Sequence, residues 1–302
     1  MSPETQTADD QSRTSAHPSG RIVYVNGAYL PEAEATVSVF DRGFLFADGV
    51  YEVTSVLGGK LVDWAGHTAR LTRSLGELDM PAPADEDSLL AIHRELVRRN
   101  QVEEGLVYLQ VTRGVADRDF GWAEGMTPSL VLFTQSKPLI ANAQARAGKK
   151  VAILPDLRWG RRDIKTVQLL YPAMAKMQAA AQGCDDAWLE EEGSITEGTS
   201  NNAWIVTKDG VLVTRAVSTQ ILHGITRAAV LRFAAEAQMK VEERAFTPQE
   251  ARDAAEAFTT SASAFVMPVV EIDGSVLGDG KPGPVARRLR EIYVEESLKT
   301  AI

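Results

Sequence analysis

Arg158-Trp159-Gly160-Arg161-Arg162-Asp163-Ile164-Lys165-Thr166-Val167 is the stretch whose reading decides the fold. It follows an apolar, strand-like run containing Val151, Ile153 and Leu154. Its single lysine lies between Ile164 and Val167, with Leu169 and Leu170 just beyond. A lysine held among apolar side chains loses hydration, which disfavours the ammonium and lowers the pKa, as an amine that attacks a carbonyl requires. A loop lysine can equally snorkel to solvent on its long stem. The stretch alone leaves both readings open.

Two further stretches bear on the choice: Thr196-Glu197-Gly198-Thr199-Ser200-Asn201-Asn202 and Leu222-His223-Gly224-Ile225-Thr226-Arg227. Taken in order and spacing with Asp163-Ile164-Lys165-Thr166, they resemble the fold-type IV pyridoxal-phosphate aminotransferases. That group holds the D-amino acid, branched-chain and (R)-amine aminotransferases and aminodeoxychorismate lyase. The resemblance runs from about Arg21 to Val294 and looks closest to the D-amino acid enzymes.

Bulk properties narrow the classes. The 302 residues suffice for two modest domains, and 44% hydrophobic with 24% charged residues is the make-up of a soluble globule. A net charge of −9, with no basic block beyond the arginines of 158–162, argues against nucleic acid as the main partner. The single cysteine, Cys184, excludes an intrachain disulfide, suits a reducing cytoplasm and reads as a small packing residue. No run approaches the ~20 apolar residues of a membrane span. His17, His67, His93 and His223 lack metal-ligand spacing, so no metal is expected. Residues 1–20, rich in Ser, Thr, Asp and Pro, are expected to form a disordered tail and not a secretory signal.

Along the chain, Asn26-Gly27 predicts a hairpin, and Asp48–Thr54 alternates as a strand with Tyr51, Val53 and Ser55 on one face. Gly66 opens a predicted helix with Leu71, Leu75 and Leu78 at helical spacing and Arg70 in its first turn. A second helix, Asp85–Asn100, and strands Leu106–Arg113 and Ser129–Thr134 complete a small domain over 21–136. Residues 137–148 show no period and read as a connector. The large domain, 149–302, is expected to hold a strand at Val151–Leu154, a helix Ala173–Gln182 with Pro172 at a first helical position, and strands Ala187–Glu190, Ala203–Val206 and Val211–Thr214. A helix Thr226–Gln238, a capping box at Thr247-Pro248-Gln249-Glu250, strands Glu256–Thr260 and Val269–Ile272, and a helix Val285–Leu298 follow. The fold class is α+β. The resemblance adds a small N-terminal α/β sandwich and a larger C-terminal mixed, β-barrel-like domain with helices.

The resemblance also implies roles. The cofactor would be pyridoxal 5′-phosphate, held as a Schiff base on Lys165, which would then act as the base. Glu197 would face the ring nitrogen, Leu222 would pack on the ring, and Arg70 would hold the phosphate. Gly224, Ile225 and Thr226, at a helix start where backbone N–H groups favour an anion, would share that phosphate with Ser261 and Ala262; Ser200 is a further donor. Tyr51 and Arg118, the latter from a neighbouring subunit's loop, would bind the substrate carboxylate, which makes a homodimer the expected assembly. Phe120 stands where the D-amino acid enzymes carry a histidine, and a phenyl ring cannot donate. The expected reaction is amino transfer from a D-amino acid such as D-alanine to a 2-oxo acid. The alternatives are an (R)-selective amine transaminase, a branched-chain L-amino acid aminotransferase, an aminodeoxychorismate lyase, or a binding protein on a decayed scaffold.

Overall fold

The computed structural model describes residues 20–302; the expected tail, Gly20 apart, and His17 lie outside the described residues. A six-stranded antiparallel sheet comes first. It is built from β1 (Ile22–Val25), β2 (Ala28–Pro31), β3 (Gly49–Leu57), β4 (Lys60–Leu61), β5 (Glu104–Thr112) and β6 (Ser129–Ser136), in the order β2-β1-β6-β5-β3-β4. The Asn26-Gly27 turn has φ of 45° and 100°, the paired positive values that a two-residue hairpin needs. A short helix, α1 (Arg42–Phe46), precedes β3, while α2 (Trp64–Glu77) and α3 (Glu86–Arg99) supply Leu71, Leu75, Ile92 and Leu96 to the sheet's core.

The rest of the chain forms α4 (Ala143–Ala147), β7 (Lys149–Pro155), α5 (Leu170–Ala181), β8 (Asp186–Glu191), β9 (Ser194–Gly198), β10 (Asn202–Val206), β11 (Leu212–Thr214), α6 (Ile225–Glu236), β12 (Val241–Glu243), α7 (Pro248–Arg252), β13 (Glu256–Ser261), β14 (Phe265–Ile272), β15 (Ser275–Val276) and α8 (Pro284–Thr300). Its nine-stranded mixed sheet runs β12-β11-β10-β13-β14-β7-β8-β9, with β15 on β14. Neighbours are antiparallel except β11/β12, β14/β7 and β7/β8.

The two sheets share a core. Leu57, Val62, Leu106 and Leu139 pack in one cluster with Trp204, Phe258, Phe265 and residues of α6 and α8. Each such side chain removed from water contributes about 1.5–3 kcal/mol, so this cluster opposes separation of the sheets.

Several local expectations change. Helix α2 begins at Trp64, so Arg70 lies in its second turn, one turn deeper than its sequence pattern indicates. Pro172 is the third residue of α5, a position whose N–H has no intrahelical acceptor and which therefore tolerates proline. The connector contains α4, started by the Asn142 carboxamide accepting from Gln144 and Ala145 N–H. Strands β9 and β12 are additions. The β8–β9 turn uses Glu192 (φ 51°) and Gly193 (φ 78°), a hairpin signal hidden in an acidic run. Ile164 is buried and, with the partly exposed Leu169, lines the cavity that Lys165 enters, whereas Leu170 is 75% exposed and stands away from it.

Candidate active site

Lys165 reaches the small sheet through its own backbone. Tyr51 N–H donates to Lys165 C=O (2.9 Å), Val167 N–H donates to Gly49 C=O (3.0 Å), and Val50 bridges Thr166. This short antiparallel contact extends the edge of β3 and turns the Lys165 side chain over Tyr51, with Nζ 4.1 Å from the ring centroid. Both residues line a cavity of about 1000 Å3, its open mouth included. The clustered arginines before Lys165 are all neutralised: Arg158 pairs with Asp156 and Glu197, Arg161 with Glu77 and Asp163, and Arg162 with Glu191.

Glu197 lies on β9 with its carboxylate at the cavity wall. Oε1 accepts from Arg158 Nη1 (2.6 Å), Oε2 accepts from Asn202 Nδ2 (2.9 Å), and Leu222 N–H reaches both at 3.1–3.2 Å. Arg158 is itself held bidentately by Asp156 (2.9 and 2.7 Å). Burial pushes the Glu197 carboxyl above its ordinary value, although Arg158 pulls the other way. A carboxylate in that condition gains from a further cation in the cavity.

The opposite end is a cradle for an anion. Arg70 is buried and gripped by Glu52, Nε to Oε1 and Nη2 to Oε2 at 2.7 Å each, while Nη1 donates to His223 C=O (3.1 Å). His67 Nδ1 lies 2.7 Å from the same Glu52 carboxylate. Burial alone would raise the Glu52 carboxyl, but Arg70 and His67 hold it far below the usual carboxylate range. Facing Arg70 is the start of α6, where Gly224 has no side chain to cap the helix and leaves the N–H groups of Ile225 and Thr226 open to the cavity. A Cβ at Gly224 would collide with the Asn202 side chain, so only glycine fits there. The turn Ser261-Ala262-Ser263 closes the third side, with Ala262 C=O anchored by Ser55 Oγ (2.6 Å). Leu222 lines the wall between the two ends, and Ser200 lies exposed at the rim.

Thus Lys165, Glu197, Arg70, Tyr51, Ser200, Leu222, Gly224, Ile225, Thr226, Ser261 and Ala262 come together in one cavity. Arg118 and Phe120 do not line it. Their loop lies on the surface, with Phe120 78% exposed and Arg118 stacked near the Phe46 and Phe120 rings. The loop is organised by Arg42, which donates to the carbonyls of Asp119 (2.7 Å), Gly121 (3.1 Å) and Phe120 (3.3 Å).

Sequence reading missed Glu52, His67, Arg158, Asn202 and Arg42. Two signals were available. Glu52 occupies an inward position of β3 between Val50 and Thr54, and His67 and Arg70 stand three apart on one helix face.

Known proteins resemble this chain in sequence and in fold. The model of the family described as Amino-transferase class IV matches residues 49–272. A D-alanine aminotransferase from Bacillus licheniformis is 39% identical over 284 residues, covering 92% of this chain and 99% of its own. Another from Listeria monocytogenes is 37% identical, covering 92% and 96%. Among solved structures, a T.th. branched-chain amino acid aminotransferase with pyridoxamine 5′-phosphate superposes with a TM-score of 0.84 at 28% identity, covering 91% of this chain and 93% of that one.

Proposed function

The chain belongs to the class IV aminotransferases, and from that premise we propose that it transfers an amino group from a D-amino acid to a 2-oxo acid with pyridoxal 5′-phosphate as cofactor. The observation that carries this reading is one cavity with an amine, a buried carboxylate and an anion cradle on three sides: Lys165, Glu197 and Arg70 with Gly224–Thr226. That donor set fits the cofactor. Lys165 would bind it covalently, Glu197 would face the ring nitrogen, and Arg70 with the N–H groups of Ile225 and Thr226 would hold the phosphate. Leu222, Ser200, Ser261 and Ala262 would complete its contacts.

When bound, the cofactor supplies an electron sink for the electrons left when the substrate α-proton departs. The protein does the rest. Lys165 Nζ would take that proton from the substrate α-carbon and deliver it across the shared nitrogen to the cofactor's aldehyde-derived carbon, a transfer for which its place beside Tyr51 leaves it on one face of the cavity. Arg158 and Asn202 keep the Glu197 carboxylate oriented, so its charge is available to the ring nitrogen without rearrangement. Glu52 holds Arg70 through Nε and Nη2 and the His223 carbonyl holds Nη1, so one N–H on each of Nη1 and Nη2 would remain for the phosphate.

The D-alanine aminotransferase relatives from Bacillus licheniformis and Listeria monocytogenes support a D-amino acid as donor. Tyr51 offers one group to the substrate carboxylate, and Arg118 would offer the other across a homodimer interface. Val39, Phe40, Phe44, Phe120 and Trp122 are 50–78% exposed around that loop, an apolar face that a second subunit would cover. Phe120 supports a second activity toward (R)-amines, because a phenyl ring makes no demand for a carboxylate partner. We place the boundary between the two units at 137–148. The single cysteine supports a cytoplasmic location, and no helix among the described residues is long and apolar enough to cross a membrane.

The decisive experiment mixes purified protein with D-alanine and 2-oxoglutarate and follows the cofactor's visible band together with pyruvate formation. Interconversion of the band with stoichiometric pyruvate is expected. L-leucine outrunning every D-amino acid would move the protein to the branched-chain class, and pyruvate release from aminodeoxychorismate without an acceptor would make it a lyase.

A further inference from the structure

Helix α8 contributes no residue to the cavity, yet three walls of the anion cradle are tied to it. Tyr293, fully buried, donates its hydroxyl to Asp63 Oδ2 (2.7 Å), and Asp63 is the left-handed residue (φ 52°) from which the Arg70-bearing helix α2 starts. The same hydroxyl oxygen lies 3.5 Å from Thr226 Oγ1, at the start of α6. One helical turn earlier, Arg290 Nη1 donates to Ala264 C=O (2.7 Å) and Val266 C=O (2.9 Å), bracketing Phe265 just after the Ser261–Ser263 turn, while Nη2 donates to Leu139 and Ile140 carbonyls of the connector. Between these two side chains sits Phe265, fully buried with φ of 61°. A bulky residue in the left-handed region is strained and persists only where its surroundings hold it. Its ring packs 5.0 Å from that of Tyr293 and 5.7 Å from Arg290 Cζ.

We propose that Tyr293 and Arg290 are positioning residues that set the width of the phosphate cradle, and so determine how tightly a phosphate-bearing cofactor is held relative to its dephosphorylated aldehyde. The proposal rests on the reading of the cavity as a pyridoxal-phosphate site. Arg70 and Thr226 come from two helices, α2 and α6, whose direct polar link among the described residues is the 3.1 Å bond from Arg70 Nη1 to His223 C=O; Tyr293 adds a second tie that touches the start of both helices. The proton count fits this role. Burial and the neighbouring Asp63 keep the phenol protonated. Its one proton goes to Asp63, leaving only lone pairs toward Thr226. The Thr226 hydroxyl is held in place by a long contact and can turn its own proton to an anion at little cost. Arg290 acts on the third wall by fixing the carbonyls that follow Ser263, against the strain at Phe265.

The test compares wild type, Tyr293→Phe and Arg290→Gln as full-length proteins, titrating cofactor-stripped samples with pyridoxal 5′-phosphate and with pyridoxal by the visible band. For Tyr293→Phe, affinity for the phosphate ester should fall about tenfold while that for pyridoxal changes less than about twofold. Arg290→Gln should show the same selectivity with a larger loss. Equal loss for both ligands, or no loss, overturns the proposal and leaves the cofactor reading intact. A wild type that binds neither ligand overturns both. If Arg290→Gln does not fold, the decision rests on Tyr293→Phe, which removes one hydroxyl, and on its combination with Asp63→Asn. The double variant should lose little more phosphate-ester affinity than either single one, and full additivity counts against the link.

Discussion

Tyr51 and Lys165 are joined twice, by a backbone hydrogen bond of 2.9 Å and by Nζ standing 4.1 Å from the tyrosine ring centroid. The first contact sews the lysine segment to the edge of β3. The second gives the amine an aromatic wall, favourable to an ammonium and neutral toward the free amine. Tyr51→Phe keeps the ring and should leave the cofactor band in place. The hydroxyl proposed to serve the substrate carboxylate is lost, so KM for D-alanine should rise about tenfold with a smaller change in kcat. An unchanged KM would remove Tyr51 from substrate binding.

Glu52 organises the cradle from behind, so Glu52→Gln should act on both stability and cofactor binding. The change leaves Arg70 buried without its anion, a loss of about 3–5 kcal/mol by analogy with broken buried pairs. Added pyridoxal phosphate should recover part of this, because its phosphate supplies a replacement charge to Arg70. Denaturant unfolding with and without cofactor measures both effects; a variant as stable as wild type would show that the Glu52–Arg70 pair is replaceable by solvent.

His93 provides a pH signature. It is buried against Trp64, with ring centroids 4.7 Å apart, and burial pushes its pKa down to about 4. The unfolded chain takes up its proton near pH 6.5 while the folded protein does not until about pH 4. As pH falls through that window the unfolded state binds more protons and stability is lost. The group's contribution amounts to about 3 kcal/mol between neutral pH and pH 4. His93→Gln should flatten the pH dependence of unfolding in this window specifically. Parallel stability profiles for the two proteins would contradict the assignment.

The sequence motifs reached as far as the residues that act alone. Lys165, Glu197 and the Gly224–Thr226 helix start each carry their chemistry in a short local pattern, and all three line the cavity. What stayed hidden depends on partners distant in the chain. Arg158 belongs to the site because Glu197, 39 residues on, folds against it, and Glu52 because Arg70, 18 residues on, turns inward on the next helix. Strand β9 escaped notice since its turn, Glu192-Gly193, looks like part of an acidic surface run. Leu170 misled in the opposite sense, an apolar residue that the single chain leaves in solvent away from the cavity, while its neighbour Leu169 lines it.

Arg118 is the residue on which the proposed donor choice and the proposed homodimer both turn. Within one chain its loop is pinned by Arg42 to the surface, away from the cavity that Lys165 lines. If it completes a neighbour's site, its loss should affect substrates with a carboxylate far more than those without. Arg118→Ala should therefore raise KM for D-alanine about tenfold or more, from loss of a charge-assisted hydrogen bond, while KM for (R)-1-phenylethylamine changes little. Phe120→His should shift preference the other way, toward D-amino acids, by restoring a donor. Subunit mixing then tests the geometry. Arg118→Ala and Lys165→Ala proteins are each poorly active or inactive with D-alanine. A hybrid dimer pairs an intact Lys165 with an intact Arg118 loop from its partner, so random reassembly should recover about a quarter of wild-type activity. No recovery, with hybrids shown to form by differential tagging, would place the loop in its own subunit's site.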